Sequence, residues 1–397
     1  MRLTAGWIAC FALLFASQAS AQVPSEQQLQ RWLKRFPKAD ANGDGKLTVA
    51  EATTFMRQMR GRGRNAGAPR EFEVDPGWEK DRFPEHAVSY KTPEEIRQIY
   101  ASVAKPGSKP VISYDKPTDG AVRIVATGHS FMAPGFKTFP IICKAAGLDQ
   151  PLYTHTGGGM TGSARYKWEE ENGIFQFDGR PAPKLLASIS NASWDAMMWG
   201  PYFNDRAKYY ACWIDFCLKY NPEMKFYLSD AWPQLYQLGQ NPKSEDYFTE
   251  EVFDRMATDR RQEYEKQVAE LRKDYPGRVF ILPTCDAMAL AGKAFLRGEL
   301  PGIEGIHKVI GGKERSLWRD QLGHLGPGFD RLEGYVFYAT IYKKSPELIE
   351  GDVPFGSGNF PSRELDRQFR KIAWQAALMH PLSGVKDADG DKIGDAQ

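Results

Sequence analysis

Residues 122–132 read V-R-I-V-A-T-G-H-S-F-M. The first half, Val122–Thr127, is a short apolar run of strand length, and Gly128-His129-Ser130 breaks it. A glycine there lets the chain turn sharply. A serine on a tight turn at a strand end can project its hydroxyl into a crevice. A helix starting just beyond would aim backbone N–H groups at an anion held there. The expected helix is Phe139–Ala146.

The alternation continues outward from this stretch. Strands are expected at Pro151–Thr156, Trp194–Trp199, Lys225–Ser229 and Arg278–Pro283. Helices are expected at Phe203–Tyr220, Phe248–Tyr275, Ala287–Arg297, Phe329–Lys343 and Arg363–His380. Strands alternating with helices predict a parallel sheet covered on both faces. In such sheets ligands bind outside the carboxyl ends of the strands. The residues just after each strand therefore carry the functional reading. They are Gly128–Met132, the glycine run Gly157-Gly158-Gly159, and Gly200-Pro201-Tyr202-Phe203-Asn204-Asp205. A late loop, Trp318-Arg319-Asp320-Gln321-Leu322-Gly323-His324-Leu325, precedes a helix.

This order resembles the SGNH (GDSL-like) hydrolase superfamily over roughly residues 118–346. The resemblance implies a three-layer, flavodoxin-like α/β fold. It implies Ser130 as nucleophile, His324 as general base and Asp320 as the residue that orients His324. It places the oxyanion hole at the Ser130 amide, Gly158 or Gly159, and Asn204. The late segment, with Gly334-Tyr335 and Phe337–Tyr342, also looks like the bacterial carbohydrate-ester-type members. The implied activity is a serine esterase acting on a small-molecule or carbohydrate ester. Three positions depart from the pattern. His129 stands where Asp is usual. Asp320 and His324 are four apart rather than three, which calls for a bulge or another acid. Tyr202 occupies the usual Asn position, with Asn204 two further on.

Each residue also has a plainer reading. Ser130 can cap the next helix, and His324 can be a loop histidine bonded to backbone. His129 neighbours Ser130, but adjacent residues at a strand end point to opposite faces. His155 can line the crevice or pack. Trp199, Tyr202, Trp232 and Trp318 can stack on a sugar or fill the core, where large aromatics more often lie.

A second chemistry sits near the N-terminus. Asp40–Glu51 reads D-A-N-G-D-G-K-L-T-V-A-E. The spacing is that of an EF-hand calcium loop. Asp40, Asn42, Asp44, the Lys46 carbonyl, Thr48 (directly or through water) and Glu51 are the ligands, and Gly45 makes the turn. Leu29, Trp32, Leu33 and Phe36 before it, and Ala52, Phe55, Met56 and Met59 after it, repeat at helical spacing. At the other end, Asp387–Gln397 reads D-A-D-G-D-K-I-G-D-A-Q. It resembles the aspartate-rich calcium loops of thrombospondin type 3 repeats, with Asp387, Asp389, Asp391 and Asp395 as ligands. Lys392 departs from the usual glycine, and a frayed acidic tail is the other reading. Ca2+ in these loops is expected to be structural, because serine acyl transfer needs no metal.

The remaining segments set the context. Met1-Arg2, an apolar run Trp7–Ala16 and Ala19-Ser20-Ala21 read as a signal peptide cleaved after Ala21. Cleavage removes Cys10 and predicts an exported protein, periplasmic or secreted. Ten apolar residues are too few for a span of roughly 20. The mature chain of about 376 residues suffices for one large core plus accessories. A net charge of +2 argues for neither nucleic acid nor a membrane surface. Cys143, Cys212, Cys217 and Cys285 have neither disulfide-scaffold nor zinc spacing.

The expected organisation is a signal peptide (1–21), the EF-hand helix–loop–helix (22–60), a linker and irregular lead-in (61–117), the hydrolase domain (118–350), a C-terminal helix (351–382) and the acidic tail (383–397). A different class of function competes with the enzyme. It is a non-catalytic, calcium-stabilised binding or scaffold protein on a degenerate fold of this kind.

Overall fold

The computed structural model describes residues 29, 30, 33, 39, 40, 44–48, 51, 52, 55, 115–156, 189, 192–200, 207–239, 241–351, 353, 354 and 360–395. Gly158, Gly159, Tyr202, Asn204 and Asn42 lie outside these residues, as do the signal-like segment and nearly all of the linker. The chain divides into two compact units, Met1–Glu71 and Phe72–Gln397.

In the second unit five strands form one sheet: β1 (Ile124–Gly128), β2 (Leu152–Thr156), β3 (Ala196–Trp199), β4 (Lys225–Ser229) and β5 (Val279–Leu282). Their order is β2-β1-β3-β4-β5, and every pairing is parallel. This is the flavodoxin-like order, with its switch point between β1 and β3. Strand residues alternate between two cores. Ile124, Ala126, Met198, Tyr227 and Leu282 face one apolar cluster. Val125, Met197, Trp199, Phe226 and Ile281 face the other. Burial on both faces explains why the strands read as continuous apolar runs.

The first face is covered by α1 (Ala133–Ala145), α4 (Thr284–Leu296), α5 (Phe329–Tyr342) and α6 (Arg363–Met379). The opposite face is covered by α2 (Ala207–Tyr220) and the second half of α3 (Glu250–Asp274). Thr249 caps α3 by accepting the Val252 amide, and Ser362 caps α6 by accepting that of Leu365.

One expectation is corrected, one element is added, and one of two open readings is removed. Helix α1 begins at Ala133, six residues before the predicted Phe139. Pro134 in the first turn costs no hydrogen bond, and Gly135 is required. A Cβ there would lie 2.5 Å from Phe337 and 2.7 Å from Glu333, where α1 packs on α5. Second, a two-stranded parallel ribbon, β6 (Gly305–His307) and β7 (Ser316–Trp318), is added beside the main sheet. Its three-residue strands are too short for a periodic signal. The Glu245 carboxylate organises it by accepting the Ile306 and His307 amides.

Third, the acidic tail is not frayed. Lys344 pairs with Ile393, Ser345 N–H donates to Lys392 O, and Gly394 N–H donates to Lys343 O. Asp387 accepts the Gly390 and Lys392 amides, and Asp395 accepts that of Ala388.

In the first unit, Leu29, Ala39, Leu47 and Ala52 form a small core joined by Leu33 and Phe55. Gly45 sits at φ +77°, and its amide donates to Asp40 Oδ2.

Candidate active site

The end of β1 turns tightly. His129 O accepts the amides of Met132 and Ala133, each at 2.9 Å. A Cβ on Gly128 would lie 2.7 Å from Met132 Cβ, so this reversal needs glycine. The turn lifts Ser130 to the surface at the carboxyl edge of the sheet, beside the switch point. The His129 ring turns back on its own backbone, where Nδ1 accepts the Phe131 amide at 3.0 Å.

Opposite Ser130 stands the loop after β7. His324 Nε2 lies 2.6 Å from Ser130 Oγ, and His324 Nδ1 lies 2.6 Å from Asp320 Oδ2. The Asp320 Oδ1 accepts the Leu322 amide at 3.1 Å and the His324 amide at 3.2 Å. One carboxylate thus shapes the loop and grips the ring. Burial alone would raise the Asp320 pKa, but the hydrogen bonds from the His324 ring and amide outweigh it and hold it below the usual carboxylate range. Asp320 therefore stays ionised and acceptor-only at neutral pH. This keeps the proton of neutral His324 on Nδ1 and leaves Nε2 as a base toward Ser130.

The four-residue spacing is absorbed locally. Gly323 N–H donates to Asp320 O, Arg319 N–H donates to His324 O, and Gly323 takes φ +86°. The left-handed residue folds the extra position into a turn, so no second acid is needed.

The three described aromatic candidates resolve as packing. Trp199, Trp232 and Trp318 are all buried. Trp199 stacks on Phe226 and packs on Tyr210. Two residues that the sequence does not mark as supports adjoin the base. Phe131 stacks on Trp232 and presents a perpendicular face to the His324 ring, with centroids 5.4 Å apart in each pair. Trp232 Nε1–H donates to Gly323 O at 2.6 Å.

A buried polar group lies at the ends of β4 and β5. Asp230 Oδ1 accepts the Cys285 amide and the Thr284 hydroxyl at the N-terminus of α4. Burial and the Asp286 charge push Asp230 up to about 7. Arg261 pairs with Asp286 at 2.6 Å. Burial, then Arg261 and Arg272, push His380 down to about 3. Its Nδ1 accepts the Leu382 amide, so Nε2 carries the proton of the neutral ring, 3.9 Å from Asp230 Oδ2. A metal-bound imidazole donates from its other nitrogen. Here that nitrogen accepts, so the cluster fits a polar anchor for α4 rather than a metal centre.

Of the two loops predicted to hold calcium, the tail brings carboxylate oxygens together. Carboxylate oxygens of Asp387, Asp389 and Asp391 lie within 4.8 Å of one another. In the first unit Asp44 Oδ1 accepts the Lys46 amide, and Glu51 Oε2 accepts both the amide and hydroxyl of Thr48.

No helix among the described residues is long and apolar enough to cross a membrane. No protein-family profile and no curated protein sequence matches the chain. Three solved structures are similar in chain path. A DUF4886 family protein from Bacteroides uniformis shares 11% identity over 65% of this chain and 95% of its own, with a TM-score of 0.44. A carbohydrate esterase family 2 enzyme with a carbohydrate-binding domain, from Corynascus thermopiles (Myceliophthora fergusii), shares 13% over 42% of this chain and 58% of its own, with a TM-score of 0.25. The periplasmic domain of a Salmonella ser. Paratyphi A lipopolysaccharide acetyltransferase shares 10% over 63% of this chain and 96% of its own, with a TM-score of 0.30.

Proposed function

We propose that this protein is an exported serine ester hydrolase that removes acyl groups from carbohydrate esters. The observation that carries the reading is the continuous chain Ser130 Oγ, His324 Nε2, His324 Nδ1, Asp320 Oδ2, with both contacts at 2.6 Å. In acylation, Ser130 Oγ bonds to the ester carbonyl carbon while its proton passes to His324 Nε2. The carbonyl oxygen becomes an oxyanion. The Ser130 amide is one donor for it, and Gly158, Gly159 and Asn204 are the further donors of the proposal. Collapse breaks the acyl C–O bond, and His324 gives its proton to the departing alkoxide. Water then attacks the acyl-serine with His324 again as base; the bond from Ser130 Oγ to the acyl carbon breaks, His324 returns the proton to Ser130 Oγ, and the carboxylic acid leaves. Asp320 stays ionised throughout and stabilises the transient imidazolium.

Ca2+ is proposed as a structural ion in the loop of Asp40, Asn42, Asp44, Lys46, Thr48 and Glu51. The tail of Asp387, Asp389, Asp391 and Asp395 is proposed as a second such loop. Close carboxylate oxygens are the hard donors such an ion takes. It would hold its loop's shape and take no part in acyl transfer.

The functional reading is tested with p-nitrophenyl acetate and acetylated oligosaccharides. The wild-type chain should release acetate. Ser130→Ala should lose all turnover above background while keeping its circular dichroism and melting temperature. Equal rates in both proteins would refute Ser130 as nucleophile. No turnover on any ester would favour a non-catalytic binding protein.

A further inference from the structure

His324 is not held by Asp320 alone. The loop after β4 grips the loop that carries the base at two points. Leu235 N–H donates to Gln321 O at 3.1 Å, and Trp232 Nε1–H donates to Gly323 O at 2.6 Å. Trp232 is 2% exposed, so this bond is shielded from water, and the Gly323 carbonyl is bonded immediately beside the base. The face of the same indole stacks on Phe131, at an interplanar angle of 24°. Phe131 follows the nucleophile directly and sets its ring at 89° to that of His324. One side chain therefore touches the neighbour of the base through its edge and the neighbour of the nucleophile through its face.

The fit at Gly323 is close. A Cβ added there would stand 3.0 Å from Trp232 Nε1, and the φ of +86° already favours glycine. The backbone just before Trp232 is itself anchored. Ala231 N–H donates to Thr284 Oγ1, and the Thr284 hydroxyl donates to Asp230 Oδ1. The strap thus rests on the first turn of α4 rather than on a free loop.

Building on the esterase reading, we infer that Trp232 is a positioning residue for acyl transfer. Its indole N–H on the Gly323 carbonyl, together with its stacking on Phe131, sets the approach of His324 Nε2 to Ser130 Oγ. Trp232 touches neither substrate nor reacting atoms. It acts by holding the base and the nucleophile in one register.

The test is Trp232→Phe, which removes the donor and keeps an aromatic face for Phe131. Losing one shielded hydrogen bond should lower kcat about 3- to 10-fold. KM should stay level and the fold remain intact by circular dichroism. A merely structural role would lower the melting temperature and leave kcat per folded molecule unchanged. A second readout needs no turnover. The proton shared by His324 Nδ1 and Asp320 should give a strongly downfield 1H resonance, identified by its loss in His324→Ala. In Trp232→Phe that resonance should broaden or vanish through faster exchange with water. An unchanged kcat, or an unchanged resonance, would overturn the positioning role. A wild-type chain that shows the resonance but hydrolyses no ester would defeat the esterase reading, while the resonance in Trp232→Phe still decides the positioning role.

Discussion

Replacing Asp320 with asparagine separates its two jobs. The Asp320 Oδ1 accepts the Leu322 and His324 amides, and an asparagine carbonyl oxygen can keep both bonds. The Oδ2, 2.6 Å from His324 Nδ1, becomes an NH2 group. Two donors cannot face each other, so the His324 proton must move from Nδ1 to Nε2. Nε2 then presents a proton to Ser130 where it previously offered a lone pair. The loop survives and the base is disabled. A wrong-tautomer change in a serine–histidine–aspartate arrangement lowers kcat about 10,000-fold. Because the Asp320 side chain is 39% exposed, water can partly rescue the ring, and we expect about 1,000- to 10,000-fold here. Stability should fall by only about 1 kcal/mol, one exposed-side hydrogen bond.

The assay is p-nitrophenyl acetate hydrolysis at pH 7.5, with Asp320→Ala alongside. The alanine variant also loses the loop bonds and should be the less stable of the two. An asparagine variant retaining more than about a tenth of wild-type kcat at unchanged KM would refute Asp320 as the orienting acid.

Two further outcomes follow from buried or clustered carboxylates. Burial raises the Glu333 carboxyl well above its usual pKa, although Glu333 accepts the Gly135 amide at 2.6 Å. Below the ordinary glutamate value of 4.5 both folded and unfolded forms are protonated. Above it the unfolded chain ionises first, so this group erodes stability by up to about 1.4 kcal/mol per pH unit until the folded form ionises too. Glu333→Gln should therefore raise the melting temperature at pH 8 and leave it unchanged at pH 4; equal shifts at both pH values would contradict the buried-carboxyl account. For the calcium loops, ion present at 100 times its Kd adds about 2.7 kcal/mol to a cooperative unit. Chelation should lower a calorimetric transition, and Glu51→Gln should remove the part due to the N-terminal loop. A thermogram indifferent to chelator would refute a stabilising ion.

The sheet was readable because parallel strands buried on both faces appear as continuous apolar runs. Ile124–Gly128 and Val279–Leu282 are buried at every position. The first turns of helix α1 are not legible from their own sequence. Gly135 is needed because Phe337 and Glu333 of a distant helix pack against it. The ribbon β6–β7 left no periodic trace, since its form depends on a carboxylate 61 residues upstream of Ile306, Glu245.

What the sequence determined by itself is what lies within one turn or one strand. That includes the apolar runs, the Gly128–Ser130 reversal, and the acidic spacing of Asp40–Glu51 and Asp387–Asp395. It also ordered Ser130, Asp320 and His324 along the chain. Only the tertiary structure decided that Ser130 and His324, 194 residues apart, come within hydrogen-bond reach. It alone decided that a four-residue spacing closes through a left-handed Gly323 under the Trp232 indole. The reason is physical. Periodicity and turn chemistry are local properties of a chain, whereas a side chain's partner across the fold is chosen by packing that no short stretch contains.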